Sequence, residues 1–117
     1  MRIGIVAPAC PLPEAVPDLV KSAAAARYAD DAPELVFHPQ CFSSAGHFAG
    51  PDKERAEALL EFANDAAFDA IWFARGGYGS NRIALTVLPK LNAAARNKAY
   101  LGYSDMGFLL AGLYARR

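Results

Sequence analysis

Several features that would direct this sequence toward nucleic acids, membranes or secretion are scarce or missing. Its 12 basic and 12 acidic residues cancel to a formal net charge of zero. Binders of nucleic acid or anionic membrane usually carry a basic excess, so neither class of partner is expected. No apolar run approaches the length of a membrane span, and the first residues indicate a strand rather than a signal peptide. We therefore expect a cytoplasmic protein.

Cysteine is also scarce, and metal-ligand patterns are missing. Cys10 and Cys41 are far apart and form no Cys-x-x-Cys pair. A disulfide between them stays possible, but free thiols in a reducing compartment are the simpler interpretation. No cluster of His, Asp or Glu has the spacing of a metal site, so we expect no metal and no other cofactor.

What the sequence does contain is a regular alternation of apolar and amphipathic segments. Hydrophobic residues make up 54% of the 117 residues and charged ones 21%, which is typical of one folded domain. Four short apolar runs of strand length lie at residues 2–7, 34–39, 70–74 and 99–101. Each is followed by a segment with helical spacing, at residues 14–28, 51–68, 80–91 and 106–113, and residues 92–98 are predicted to be a polar connection. In the first of these helices the predicted apolar stripe is Val16, Leu19, Val20 and Ala23, and the third is expected to be capped by Ser80 or Asn81.

This alternation predicts an α/β fold. Strands that are apolar on both faces belong in a parallel sheet, so the pattern favours a doubly wound, mostly parallel sheet with helices on both faces. Residues 2–7 are expected to be central in it, and residues 99–101 to form a buried strand. Successive crossovers bring the carboxyl ends of parallel strands to one rim. The loop at residues 8–13, the glycine-rich residues 75–79 and the turn at Ser104 should therefore be neighbours.

The turn Gly102-Tyr-Ser-Asp105 follows the last strand and precedes a helix. A serine on such a turn is lifted out of the sheet beside the first free amides of the helix, which suits a nucleophile and its oxyanion hole. The match to Gly-x-Ser-x-Gly is imperfect, because Met106 precedes the next glycine, Gly107. A serine that only caps the helix is an equally good interpretation of the spacing.

The run Arg75-Gly-Gly-Tyr-Gly79 is neither a Walker loop nor a Gly-x-Gly-x-x-Gly motif. Its backbone can approach a ligand closely, so the amide of Gly76 or Gly77 could share an oxyanion hole with the amide of Asp105. A tight turn with close helix packing is the structural alternative. Arg75 could meet an anionic group, or it could be an ordinary surface arginine.

A serine hydrolase also needs a general base and a group that orients it. Only His38 and His47 are available, and neither has an acidic partner at an informative spacing. His38, at the end of a strand, is best interpreted as a surface or hydrogen-bonded core residue. The sequence thus contains half of a catalytic apparatus.

Four segments in a fixed order carry a family resemblance: Ile3-Gly-Ile-Val-Ala-Pro8, Phe48-Ala-Gly-Pro-Asp-Lys-Glu-Arg55, Arg75-Gly-Gly-Tyr-Gly79 and Gly102-Tyr-Ser-Asp105. Together they resemble the LD-carboxypeptidases, which comprise the muramoyltetrapeptide carboxypeptidases and the microcin self-immunity peptidases. The N-terminal domain of that family is similar to class I glutamine amidotransferase domains, with a flavodoxin-like sheet. The resemblance thus implies the same fold as the residue pattern.

The resemblance also implies roles for individual residues. Ser104 would be the nucleophile, and the backbone amides of Asp105 and Gly77 would form the oxyanion hole. Gly76 is expected to contact substrate, and the charge and position of Arg75, rather than the resemblance, suggest that it meets the substrate's carboxylate. The remaining triad members, a Glu and a His, belong to a C-terminal domain outside residues 1–117. The resemblance further suggests a homodimer.

The function implied by the resemblance is serine-dependent cleavage of an L–D amide bond, which releases terminal D-alanine from murein tetrapeptide during peptidoglycan recycling. A peptidase that detoxifies a microcin-type peptide-nucleotide antibiotic is one alternative. A non-catalytic α/β module that binds an anion is another, from a different class. We expect residues 1–117 to be a single N-terminal domain of a longer enzyme, inactive alone, although a natural truncation remains an option. An isolated sheet edge would expose apolar surface, which favours the longer enzyme.

Overall fold

A four-stranded sheet forms the centre of the computed structural model, which describes residues 1–117. The strands are β1 (Arg2–Val6), β2 (Glu34–Phe37), β3 (Ala70–Phe73) and β4 (Ala99–Leu101). Their order is β2-β1-β3-β4, and each neighbouring pair is parallel. The predicted parallel sheet with a central first strand is confirmed.

Five helices connect and follow the strands: α1 (Val16–Tyr28), α2 (Asp52–Asn64), α3 (Ser80–Val87), α4 (Ala93–Arg96) and α5 (Gly107–Tyr114). Helices α2, α3 and α5 share a cluster of 18 buried residues with one face of the sheet. On the other face Val20 and Ala24 of α1 pack against a cluster of five buried residues. Helices therefore cover both faces, as the doubly wound prediction requires.

Two element boundaries differ from the sequence prediction. Helix α2 ends at Asn64 rather than at residue 68, because the Asp65 carboxylate accepts a hydrogen bond from the Ala67 amide at 2.8 Å and turns the chain. Residues 92–98, predicted to be a polar connection, contain the short helix α4. The side chain of Asn92 caps this helix by accepting a hydrogen bond from the Ala95 amide at 3.0 Å.

Two burial predictions are wrong. Strand β4 lies at the sheet edge rather than inside it, and its Leu101 side chain is 49% exposed. An apolar run indicates a strand but does not reveal which strand ends the sheet. In α1 the predicted apolar stripe included Leu19, which is 68% exposed, and no residue of this helix is fully buried. A groove of about 420 Å³ lies between part of α1 and the sheet, lined by residues such as Val20 and Trp72.

Candidate active site

Three segments meet at the rim where the strands end: the β1 loop (residues 8–13), the glycine loop (residues 75–79) and the serine turn (residues 102–107). A Cβ atom placed on Gly76 would lie 2.9 Å from the Cβ of Ser104 and 3.3 Å from its Oγ. A Cβ atom on Gly77 would overlap the Cys10 thiol of the β1 loop. The structure therefore brings together the segments that the strand topology predicted to be neighbours.

Ser104 occupies a strained position. Its φ is +58°, a left-handed conformation that a residue with a side chain rarely adopts, and its side chain is exposed. It begins a 3₁₀ turn, Ser104–Met106, that leads directly into α5. Neither that turn nor α5 has a side-chain cap, so Ser104 does not cap a helix. An exposed serine on a strained strand-to-helix turn has the geometry of a nucleophile elbow.

Asp105 fastens the serine turn to the end of the glycine loop. Its carboxylate Oδ2 accepts a hydrogen bond from the Ser80 amide at 2.9 Å, and its carbonyl oxygen accepts one from Ser80 Oγ at 2.6 Å. Both residues are buried. The sequence suggested that Ser80 or Asn81 caps α3. That suggestion is wrong, because the N-cap position is Gly79 and the capping carboxylate comes from Asp105.

Two glycines of the glycine loop are required for steric reasons. Gly77 has a φ of +134°, and any side chain on it would collide with Cys10. Gly76 is buried against Ser104, where only hydrogen leaves room for the serine side chain. The contribution of the Gly77 or Gly76 amide to an oxyanion hole stays a prediction, as does that of the Asp105 amide.

Arg75 lies exposed at the entrance to this rim. Its Nη1 atom donates one long hydrogen bond, of 3.4 Å, to the carbonyl oxygen of Pro11 in the β1 loop. The guanidinium therefore extends over the rim and keeps exposed donors. Its predicted contact with a substrate carboxylate stays a prediction.

The two histidines occupy different places. His38 follows β2, three strand positions from β4, which corresponds to about 14 Å across the sheet. Its Nε2 lies 3.2 Å from Glu61 Oε2, an acidic partner on α2 that sequence spacing did not reveal. The His47 ring packs against Phe48 in a tilted arrangement, with ring centroids 4.0 Å apart, and lies 6.2 Å from the Tyr78 ring of the glycine loop. The structure assigns neither histidine to Ser104.

Sequence reasoning missed one residue beside the site. Arg55 of α2 is 0% exposed and donates hydrogen bonds to the carbonyl oxygens of Pro8, Gly50 and Gly79. Its position four residues before Leu59 places it on the apolar stripe of α2. This unusual placement of an arginine on a buried helix face was the signal in the sequence that could have identified it.

Few other groups in the structure suggest further chemistry. Cys10 and Cys41 are free thiols. No three His, Cys, Asp or Glu side chains are grouped so that they could hold a metal ion. The helices are all too short or too polar to traverse a lipid bilayer.

Comparison with known protein families decides the identity of this arrangement. The family model described as the LD-carboxypeptidase N-terminal domain matches residues 3–117. The chain belongs to the LD-carboxypeptidase family. The resemblance carried by the four sequence segments is thus confirmed. The family is one of carboxypeptidases.

Individual relatives agree with the family match. A Streptomyces coelicolor protein whose name calls it a carboxypeptidase is 34% identical over 106 residues, 90% of this chain. The "Probable murein peptide carboxypeptidase" of Bacillus subtilis is 31% identical over 113 residues, 96% of this chain. The solved structure of the microcin C7 self immunity protein MccF, without ligand, superposes on 98% of the chain with a TM-score of 0.73 and 27% identity.

The LD-carboxypeptidase domain described here is shorter than these proteins. The chain spans about a third of their length, 34% in each of the three comparisons.

Proposed function

We propose that this chain is the nucleophile-bearing N-terminal domain of a serine carboxypeptidase that cleaves the L–D amide bond of murein tetrapeptide and releases terminal D-alanine. One observation carries the proposal: Ser104, at a φ of +58°, faces Gly76 of the glycine loop at contact distance. A strained serine beside flexible backbone amides at the carboxyl end of a parallel sheet is the arrangement that acyl transfer needs.

In the proposed reaction, Ser104 Oγ attacks the carbonyl carbon before the terminal D-alanine. A tetrahedral intermediate forms, and its oxyanion accepts hydrogen bonds from the amides of Asp105 and of Gly77 or Gly76. The serine proton moves to a histidine base and then to the amine of the departing D-alanine, which leaves an acyl-enzyme. Water hydrolyses this ester and restores Ser104.

We propose that the base and its orienting carboxylate come from outside residues 1–117. In support, His38 is paired with Glu61 at the far edge of the sheet, and the His47 ring packs against Phe48. The family resemblance supplies a His and a Glu from a C-terminal domain. We therefore propose that the active enzyme is the longer chain, which acts in cytoplasmic peptidoglycan recycling.

Substrate anchoring is proposed for Arg75. A murein tetrapeptide ends in a carboxylate one residue beyond the cleaved bond, and an exposed guanidinium at the rim can bind a carboxylate through two parallel hydrogen bonds. This contact would place the L–D bond over Ser104.

A second candidate function follows from the structural comparison. MccF, the microcin C7 self immunity protein, superposes on this chain at a TM-score of 0.73 and 27% identity. A serine peptidase that detoxifies a peptide-nucleotide antibiotic would use the same Ser104 and glycine loop. The B. subtilis murein relative, 31% identical over 96% of the chain, supports the first candidate.

One experiment separates the candidates. The full-length enzyme is incubated with murein tetrapeptide and, separately, with an aminoacyl sulfamoyl nucleoside, and the products are followed by mass spectrometry. We expect D-alanine from the first substrate and a loss of about 10⁴-fold or more in Ser104→Ala. Faster cleavage of the nucleoside compound would favour the second candidate, and turnover by residues 1–117 alone would refute the two-domain proposal.

A further inference from the structure

Arg55 is a fully buried cation at the base of the candidate site, and the proposed reaction does not use it. Its side chain is 0% exposed, although arginine is one of the residues least often buried. Burying a guanidinium costs several kcal/mol unless its donors are all satisfied. The partners that satisfy this one therefore reveal what the residue does.

Those partners are mainly backbone carbonyls of three different loops. Arg55 Nε donates to Gly50 O at 3.1 Å, and Nη1 donates to Gly79 O at 2.9 Å and to Pro8 O. Gly50 precedes α2, Pro8 begins the β1 loop and Gly79 ends the glycine loop. The residues contacted are 5, 47 and 24 positions away from Arg55. One side chain thus joins the two loops that frame Ser104 to the start of α2.

The carboxylate of Asp52 balances the charge of Arg55. Asp52 accepts a hydrogen bond from Arg55 Nη2 and is in turn held by Arg82 Nε at 2.9 and 3.0 Å. The Phe48 ring lies against the guanidinium, with 4.7 Å between Cζ and the ring centroid. The three carbonyl acceptors and the Phe48 ring fix the guanidinium plane, so its fork of donors reaches the loops in one orientation.

We propose that Arg55 is a positioning residue that holds the glycine loop in register with Ser104, so that the Gly76 and Gly77 amides point at the developing oxyanion. The catalytic consequence of this inference rests on the proposed function. Its structural consequence, an ordered glycine loop, rests on geometry alone. A lysine cannot replace the arginine, because a single ammonium does not reach three carbonyls with the spacing of a guanidinium.

The test compares Arg55→Met and Arg55→Lys with Arg82→Met in the full-length enzyme. Arg82 binds the same Asp52 and lies over the same Phe48 ring, at 5.2 Å, but it is about half exposed, and its side chain donates to the Asp52 carboxylate and not to the loop carbonyls that Arg55 holds. We expect kcat for D-alanine release to fall about 100-fold in Arg55→Met, with KM changed less than threefold, since a 1 Å misplacement costs about that much. Arg55→Lys should recover less than a tenth of the lost rate, and Arg82→Met should keep the wild-type rate.

Amide hydrogen exchange gives a readout that does not depend on the substrate. In both Arg55 variants, peptides covering residues 8–13 and 75–80 should exchange at least tenfold faster, while those covering β3 and α5 stay at the wild-type rate. Wild-type exchange in these loops, or a uniform increase over the whole domain, would overturn the proposal. If wild-type enzyme releases no D-alanine, the proposed function fails, and the exchange result still decides the positioning role. If Arg55→Met does not fold, Arg55→Lys carries the test.

Discussion

The two faces of the sheet differ sharply in how they are packed. On the closed face, where α2, α3 and α5 lie, 18 residues form one buried cluster. On the open face, where α1 lies, the buried cluster has five residues, and α1 itself has none. The same kind of apolar spacing predicted the helices on both faces. It did not distinguish the closely packed layer from the loosely packed one.

The candidate site belongs to the closed face. Met106 and Leu109, which follow Ser104, are both 0% exposed in the larger cluster. Ser80 of α3 holds Asp105, and Arg55 of α2 holds the glycine loop. The geometry of the serine turn therefore depends on residues of the closed face, and we expect substitutions on the open face to leave Ser104 in place.

Truncating a leucine on the closed face should have the largest effect on stability, whereas truncating one on the open face should have almost none. Leu59 of α2 is 0% exposed, and Leu19 of α1 is 68% exposed. Leu59→Ala should lower the free energy of unfolding by about 2–5 kcal/mol, because it leaves a cavity in a packed core. Leu19→Ala should change it by less than about 0.5 kcal/mol. Urea unfolding followed by Trp72 fluorescence measures both, and similar losses in the two variants would abolish the distinction between the faces.

An intermediate effect is expected at the polar link between the serine turn and α3. Asp105→Ala removes the carboxylate that caps α3 and should cost about 1–2 kcal/mol. Asp105→Asn keeps an acceptor for the Ser80 amide and should lose less than half as much. Thermal unfolding of the two variants provides the measurement. An alanine variant as stable as the asparagine variant would show that the cap does not anchor this turn.

The smallest effect concerns the one well-packed part of the open face. Cys41 is 0% exposed, and burial raises the pKa of its thiol from 9.0 to about 12. The unfolded chain therefore releases this proton at lower pH than the folded chain. Stability should be complete below about pH 9 and fall as pH rises toward 12, by about 1 kcal/mol at pH 10.

Cys41→Ala isolates this contribution. Burial also raises the pKa of Tyr100 from 10.0 to about 12, so above about pH 10 the wild-type chain should lose stability through both groups. The alanine variant should lose the thiol part of the slope and keep the part contributed by Tyr100. If the free energy of unfolding depends on pH between 9 and 11 in the same way in Cys41→Ala, the thiol is accessible to water and the open face is loosely packed throughout.

The sequence predicted the fold well because the relevant signals are local. Apolar runs and helical spacing lie within a few residues of one another, and they predicted the parallel sheet and the central β1. The topology then placed Ser104 beside the glycine loop without knowledge of any side-chain contact. Strand β4 was wrongly predicted to be buried, since burial depends on which strand lacks an outer neighbour.

The rest of the site depends on contacts between residues that are distant in the chain. Asp105 meets Ser80 across 25 positions, and His38 meets Glu61 across 23. Arg55 is harder still to predict, because hydrophobic patterning places charged residues outside and this one is buried. Its partners are backbone carbonyl groups, which every residue has, so the sequence does not indicate which of them Arg55 contacts.

A fluorophosphonate probe on the full-length enzyme tests most directly whether Ser104 is an activated nucleophile. Mass spectrometry of the digested protein locates the adduct, with Ser104→Ala as the control. We predict one phosphonate adduct, on the peptide that contains Ser104, and none in the control. No adduct on the folded wild-type enzyme, or an adduct that persists in Ser104→Ala, would contradict the claim and favour an α/β module that binds without catalysis.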